Sequence, residues 1–376
     1  MAEFKFFPQN TVWEITFACN MRCLHCGTSA GNRRPDELTD DETYAVIDEL
    51  AELGGEMLTL SGGEPLLRKN WREMARRAIK NGMKIYLISN GYIVNEKIVE
   101  DFVDIKFDNL GISFDGTEKT HNHIRQRPDS FQRAFKAMKL MSEAKVRYCA
   151  VSQISNINVG ELDDIRRLLI DAGCKLWRIQ MTTDTGRMSK DFVLDLDKYP
   201  AFIDKIIEFK QNPNGIQVDV GENIGYYGCK GTTLWDGMPY LGCYAGTRIL
   251  GLESNGNVKG CLSMPEEFVE GNIRNSSLKE IWNNPEGFKY NRKFTRETAS
   301  GECYHCRYLP LCRGGCTTTS FSATGQRADN PYCIYRMEKK QGIAPCDTEM
   351  IVELLQRFEP IEEPTEANLG GGGQGC

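Results

Sequence analysis

Three thiols fall within eight residues, Cys19-x3-Cys23-x2-Cys26, in a stretch that reads TFACNMRCLHCGTSA. Cysteines so closely spaced point to a metal site. A structural zinc takes four ligands, so three thiolates leave one position to fill. Zinc completed by a distant cysteine or by His25 is one solution. A cubane 4Fe–4S cluster with one iron free of protein ligands is another. Thiolates normally hold such clusters, and an open iron can chelate a small ligand.

The rest of the composition narrows the setting. The chain has 376 residues and a net charge of −6. This argues against a nucleic-acid surface, which needs a basic stripe. No apolar run approaches the ~20 residues of a membrane span. The opening MAEFKFFPQNTVWEI lacks the layout of a secretory signal. A cytoplasmic chain is expected, with no nucleic-acid or membrane partner. Fifteen cysteines are then anomalous. Cytosolic thiols stay reduced, so the clustered ones are expected as metal ligands or catalytic groups rather than as a disulfide framework.

Six apolar, β-branched runs must position the thiols: TVWEITFA from Thr11, EMLTLSG from Glu56, KIYLISNG from Lys84, NLGISFDG from Asn109, VRYCAVSQ from Val146 and LWRIQMT from Leu176. Helical stretches separate them. In LTDDETYAVIDELAELGG, Thr39 and Glu42 form a capping box, Val46, Leu50 and Leu53 share a face, and Gly54 stops the helix. Alternating β and α predicts a parallel sheet, either doubly wound or an incomplete barrel. Active groups then gather at the carboxyl ends of the strands. The cysteines follow strand one, SGGEP follows strand two and SFDG ends strand four, all on one rim. After about Asn212 the alternation stops, which places a boundary near 213. RILGLESNGNVKGC is expected as a hairpin around Asn255-Gly256, and SSLKEIWNN as a short helix. The tail EPIEEPTEANLGGGGQGC is expected to be disordered.

The Cys19-Cys23-Cys26 spacing after strand one of six β-α units resembles the radical S-adenosylmethionine (radical SAM) superfamily. Ser61-Gly62-Gly63-Glu64-Pro65 matches that family's GGE motif, and Ser113 in GISFDG matches a serine that contacts SAM in relatives. His25 stands where the family often has an aromatic. The resemblance implies an α/β partial (β/α)6 TIM-like barrel over residues 1–212. It also implies a 4Fe–4S cluster on Cys19, Cys23 and Cys26 whose open iron chelates SAM. An electron from the cluster would cleave the sulfonium C–S bond to give methionine and a 5′-deoxyadenosyl radical, which abstracts a substrate hydrogen. Gly62, Gly63 and Glu64 would meet the SAM amino group, since glycines admit close backbone approach and a carboxylate suits an ammonium. Gln180, Asn156 and Arg133 are weaker candidates as SAM neighbours.

A second set of cysteines has its own spacing: Cys243, Cys261, then Cys303-x2-Cys306-x5-Cys312-x3-Cys316, and Cys333. Zinc-ribbon chemistry is the alternative reading of its CxxC pair. The set resembles the seven-cysteine signature of the SPASM extension of radical SAM enzymes, and GNIRNSSLKEIWNN is similar to the segment after its second cysteine. This implies a small Cys-rich α+β domain at 213–345 holding two auxiliary 4Fe–4S clusters, three clusters in all. Cys243, Cys261 and Cys316 would hold one. Cys303, Cys306, Cys312 and Cys333 would hold the other. Cys229 matches an extra cysteine in fully ligated relatives and is expected as the missing ligand of the first. The alternative is an open site on that cluster. Cys149 and Cys174 are expected as buried small hydrophobes. Cys346 and Cys376, in the segment 346–376, have no assigned partners.

The resemblance implies an anaerobic oxidoreductase of the peptide-maturase type. It would crosslink, form a thioether in, or dehydrogenate a peptide or protein, such as a ribosomal precursor peptide (RiPP), with the auxiliary clusters accepting electrons. A flavodoxin- or ferredoxin-type reductant is the expected partner. The chain begins almost directly at strand one, so leader recognition is expected from the second domain or a separate protein, unless the substrate is no leader peptide. The same chemistry on an alcohol or a tetrapyrrole side chain is the alternative. A non-catalytic iron–sulfur electron carrier, which would need neither Gly62-Gly63-Glu64 nor an open iron, is an alternative of another class. Asp184, Asp219, Glu222 and Asp236 lie among the rim carboxylates, and none is assigned as catalytic base.

Overall fold

The computed structural model describes residues 6–357; the Gly-rich tail and Cys376 lie outside the described residues. Its contacts divide the chain into two compact units. The first comprises residues up to Gly221 together with Tyr244–Lys293, and the second Glu222–Cys243 with residues from Phe294 onward.

The first unit is a parallel α/β array. Its strands are β1 (Asn10–Thr16), β2 (Met57–Gly62), β3 (Lys84–Ser89), β4 (Asn109–Ser113), β5 (Tyr148–Ile154), β6 (Leu176–Met181) and β7 (Gln217–Val220). Each pairs in parallel with the next. The helices between them are α1 (Asp40–Glu52), α2 (Trp71–Lys80), α3 (Glu96–Ile105), α4 (Glu118–Arg125), α5 (Ser130–Glu143), α6 (Leu162–Asp171) and α7 (Tyr199–Gln211). Thr39 and Glu42 make the expected capping box at the start of α1. Such caps stabilise a helix by about 1 kcal/mol. Trp13, Ile15, Leu58, Leu60, Ile85, Leu87, Ile112, Ala150, Trp177 and Ile179 form the core of the array. The mixed α/β fold is the expected partial barrel, with a seventh parallel strand, β7, beyond the six expected.

A second departure concerns the far edge. Ile249–Leu252 forms β8, parallel to β1, and Asn257–Lys259 forms β9, antiparallel to β8, as the hairpin around Asn255-Gly256. Gly271–Asn272 forms β10, so the sheet runs β10-β9-β8-β1-β2-β3-β4-β5-β6-β7. The buried Glu14 on β1 locks this edge. Its carboxylate accepts Ser254 Oγ at 2.7 Å, the Ser254 amide and Arg34 Nη2 at 3.2 Å. Residues 244–293 therefore pack with the barrel unit, whereas composition alone placed them beyond a boundary near 213.

The second unit is built from short helices, Cys229–Leu234, Gly301–Tyr304, Leu309–Cys312, Thr317–Thr324, Ile334–Lys340 and Glu349–Arg357. Its core is aromatic: Tyr226, Tyr227, Tyr240, Tyr308, Leu311, Tyr335 and Ile351 are buried together.

Candidate metal centres

The three-thiol loop leaves β1 directly, and its backbone is fixed before any side chain acts. Gly63 N–H donates to Thr16 O and Glu64 N–H to Ala18 O, both at 2.8 Å. A β-carbon on Gly62 would stand 2.3 Å from Thr16 O, and one on Gly63 2.2 Å from Ala18 O. These glycines are required because the β2 loop lies on the backbone of the cysteine loop. The loop after β6 clamps the other side: the Arg187 amide donates to Cys26 O, Arg187 Nε to Cys23 O at 3.0 Å and Nη1 to Ala30 O at 2.8 Å.

Glu64 takes a different role from the one its charge suggests. Its side chain is fully buried and accepts Asn90 N–H at 2.8 Å, Ser89 Oγ at 2.9 Å and Leu66 N–H at 3.2 Å. The carboxylate thus ties the end of β2 to the end of β3. Burial raises its pKa to about 7 against these hydrogen bonds. Asn90 Nδ2 reaches onward to Asn20 Oδ1 at 2.7 Å and to Cys19 Sγ at 4.0 Å. Ser113 ends β4, half-buried. Gln180 accepts from Gln153 Nε2 at 2.6 Å, Asn156 binds the backbone of the 191–195 segment, and Arg133 is exposed beside Asp129.

Cys19, Cys23 and Cys26 lie within electrostatic reach of one another. Cys23 is buried, and Cys19 and Cys26 are half-buried. Burial pushes Cys19 up to about 11 and raises Cys23. A metal must therefore displace protons as it binds. Besides His25, residues that spacing did not single out surround Cys23. Asp115, with no exposed surface, accepts Arg125 Nε at 2.6 Å, His25 Nε2 at 3.2 Å and Gln153 N–H at 3.0 Å. Arg125 Nη1 points to Cys23 Sγ at 3.8 Å. His121 accepts the Asp115 amide through Nδ1 at 3.1 Å, and burial first, then the Arg125 charge, lowers its pKa to about 3, so it is neutral. The available signal was TEKTHNHIR, a charged stretch directly after SFDG.

In the second unit Cys303, Cys306, Cys312 and Cys333 come together: each pair lies within electrostatic reach. Cys312 is buried and raised well above its ordinary value, mainly by desolvation, and Cys306 is pushed up to about 11 and Cys333 to about 12. Cys243 and Cys316 both lie near Tyr240. Cys261 belongs to the first unit, just after β9. Cys149 and Cys174 are buried in the first unit.

Cys229 is bonded to Cys346 in a disulfide. This differs from the expectation of a fully reduced chain, and a sulfur so bonded is not a cluster ligand. The local reason is a crossing of two segments. Glu338 accepts the amides of Cys229 at 2.8 Å and Lys230 at 3.0 Å, and Ala344 O lies 3.3 Å from Cys229 Sγ. Tyr308 Oη donates to Asp347 Oδ1 at 2.5 Å, which holds the next residue down.

The Radical SAM superfamily signature matches residues 13–172, and the SPASM iron–sulfur cluster-binding domain signature matches residues 243–307. The chain is 30% identical over 348 residues to the AdoMet-dependent heme synthase of Methanosarcina barkeri, covering 89% of this chain and 98% of that protein. It is 26% identical over 331 residues to the mycofactocin maturase MftC of Mycolicibacterium smegmatis, covering 86% and 81%. The fold matches the structure of Streptococcus suis SuiB bound to S-adenosylmethionine with a TM-score of 0.68 at 17% identity, covering 87% and 76%. The chain belongs to the radical SAM superfamily and carries a SPASM iron–sulfur domain.

The residues present fit the groups this membership implies. Among the described residues no three His, Cys, Asp or Glu side chains converge as one ion would require. A cluster spreads its thiolates over separate irons, and two groups of neighbouring thiols are what such clusters need. No helix among the described residues is long and apolar enough to cross a membrane.

Proposed function

We propose that the chain oxidises a side chain of a peptide or protein by radical chemistry, forming a crosslink, a thioether or a dehydrogenated product. A reduced cluster at Cys19, Cys23 and Cys26 would supply the electron that splits SAM into methionine and a 5′-deoxyadenosyl radical. Hydrogen abstraction then gives 5′-deoxyadenosine and a substrate radical. Closure of that radical into a new bond releases one electron and one proton. The four-thiol group of the second unit carries this reading, because it offers a site for the released electron within the same chain.

Three 4Fe–4S clusters are part of the proposal: Cys303, Cys306, Cys312 and Cys333 hold one auxiliary cluster, and Cys243, Cys261 and Cys316 the other. Gly62, Gly63, Glu64 and Ser113 line the SAM site, with Glu64 acting through the backbone it fixes. A flavodoxin- or ferredoxin-type reductant and an anaerobic cytoplasm complete it.

A second reading, oxidation of a tetrapyrrole side chain, is favoured by the near full-length similarity to an AdoMet-dependent heme synthase. One assay separates the two. Reconstituted protein, SAM and reductant are incubated with an iron tetrapyrrole bearing propionates, or with short Cys-containing peptides encoded beside the gene. A several-fold rise in 5′-deoxyadenosine together with a mass loss of two hydrogens in a peptide supports the first. Turnover of the tetrapyrrole alone overturns it in favour of the second.

A further inference from the structure

The guanidinium of Arg125 is the strongest unassigned feature beside the first cysteine loop. It is buried, with its side chain 9% exposed, and it bridges two groups. Nε and Nη2 both meet Asp115 Oδ2, at 2.6 and 2.5 Å, which leaves Nη1 directed at Cys23 Sγ at 3.8 Å. The planar fork of arginine permits this division, and its charge is permanent. Asp115 cannot swing to follow a different partner. Its other oxygen accepts Gln153 N–H, its amide donates to His121, and its carbonyl accepts Asn158 Nδ2 at 2.8 Å. Arg125 is thus aimed at the thiol by a carboxylate that is itself fixed from several directions.

We propose that Arg125 is the positioning residue that sets the charge felt by the cluster on Cys19, Cys23 and Cys26, with Asp115 trimming that charge. The proposal rests on the cluster reading above. One-electron reduction adds negative charge to the thiolate-bound group. A hydrogen bond and a cation at a ligand sulfur favour the reduced form, because cluster potentials follow net charge, hydrogen bonds to sulfur and solvent exposure. Asp115 lies on the far edge of the guanidinium and opposes the effect from a greater distance. Arg125 raises the midpoint potential, and Asp115 holds the rise in check.

A purely structural role makes a different prediction. Leu24 N–H donates to Ile124 O at 2.9 Å, so α4 also holds the cysteine loop in place. If Arg125 served only to anchor α4, its loss would reduce iron loading without moving the midpoint, and Asp115 variants would do the same.

The test is a redox titration of the fully loaded protein, following the EPR signal that changes when SAM is added, with iron counted in parallel. Arg125→Gln is expected to lower the midpoint so that the reduced-to-oxidised ratio at the wild-type midpoint falls about tenfold, equivalent to ~59 mV for one electron. Arg125→Lys is expected between the two. Asp115→Asn is expected to move the midpoint the opposite way. Opposite shifts support the proposal. Unmoved midpoints, or shifts of one sign in Arg125→Gln and Asp115→Asn, overturn it. If Arg125→Gln fails to load iron, Asp115→Asn decides alone: an upward shift supports, and no shift or a downward one overturns. Wild-type protein lacking any SAM-responsive signal would instead overturn the cluster reading itself.

Discussion

The two thiol groups sit in opposite surroundings. Around Cys19, Cys23 and Cys26 the neighbours are charged or polar: Asn20, Asn90, Arg125 and, one step further, Asp115 and His25. Around Cys306, Cys312, Cys316 and Cys333 there is a shell of Tyr226, Tyr227, Tyr240, Tyr308, Leu311 and Tyr335, with Arg296 and Lys339 in reach of Cys306 and Asp329, Arg327 and Arg336 in reach of Cys303. Tyr227 stacks on Tyr308 at 4.2 Å, and Tyr308 meets Tyr335 edge-on at 4.7 Å. A loop that must bind a zwitterionic ligand and change charge during turnover needs polar partners. A group that receives an electron and keeps water away is better served by aromatic burial. Polar groups at hydrogen-bond distance mark the first thiol group, and an aromatic shell accompanied by charged side chains marks the second.

Removing either set of thiols tests that division most directly. Cys19→Ala/Cys23→Ala/Cys26→Ala is expected to lose about four iron per chain and all 5′-deoxyadenosine. Replacing Cys303, Cys306, Cys312 and Cys333 by alanine is expected to lose about four iron as well, while SAM cleavage continues and substrate oxidation stops. Iron analysis and quantified 5′-deoxyadenosine check both. Surviving SAM cleavage in the first variant would erase the distinction between the regions.

The next largest effect concerns the stability of the oxidised chain. The Cys229–Cys346 bond spans 117 residues in sequence. Closing a loop of that order is worth about 4–5 kcal/mol in the chain-entropy account. Cys229→Ser and Cys346→Ser are therefore expected to lower the oxidised protein's urea midpoint equally and to leave iron content unchanged. A loss of about four iron in Cys229→Ser only would return Cys229 to the auxiliary cluster, as its sequence position suggested.

Much of the first region was legible because its signals are local. Thr39 and Glu42 announce a cap by their spacing, the β-branched runs announce strands, and Cys19-x3-Cys23-x2-Cys26 announces a metal loop. What escaped depends on partners far away in the chain. Glu64 is a carboxylate on the rim in sequence, yet Ser89 and Asn90 turn it inward. Arg125 and Asp115 are ten residues apart and reach Cys23 only because α4 returns beneath the cysteine loop. Residues 244–293 differ in composition from the barrel, but β8 finds β1 through Glu14 and Ser254, a pairing no local pattern encodes. Cys346 had no legible partner because its bond to Cys229 is set by the fold of the second unit.

Glu64 also gives the first region a pH dependence. Burial raises its carboxyl from an ordinary 4.5 to about 7, so the folded chain favours the protonated form. The associated stabilisation is complete below pH 4.5 and is lost as pH rises through 7, a change on the order of 3 kcal/mol. Glu64→Gln is expected to flatten the dependence of stability on pH between these values, measured as urea midpoints across that range. An unchanged slope would assign the dependence to another group.

The smallest effects sharpen the comparison by sign rather than size. Tyr226 Oη accepts the Cys316 amide at 2.9 Å and Asn330 Nδ2 at 3.1 Å, inside the aromatic shell. Tyr226→Phe strands two buried donors and is expected to cost about 1–3 kcal/mol. Ser89→Ala removes a donor to Glu64 Oε1 at 2.9 Å and is expected to cost about the same. The two should part with pH. The Ser89 bond is strongest to an ionised carboxylate, so its loss should cost more above pH 7 than below pH 5. The two groups that donate to Tyr226 Oη are amides, which do not titrate, so the cost of losing these bonds should stay level across the same range. Parallel pH profiles for the two variants would mean that the first region is no more charge-dependent than the second, and the contrast between a polar working site and an aromatic reservoir would fail.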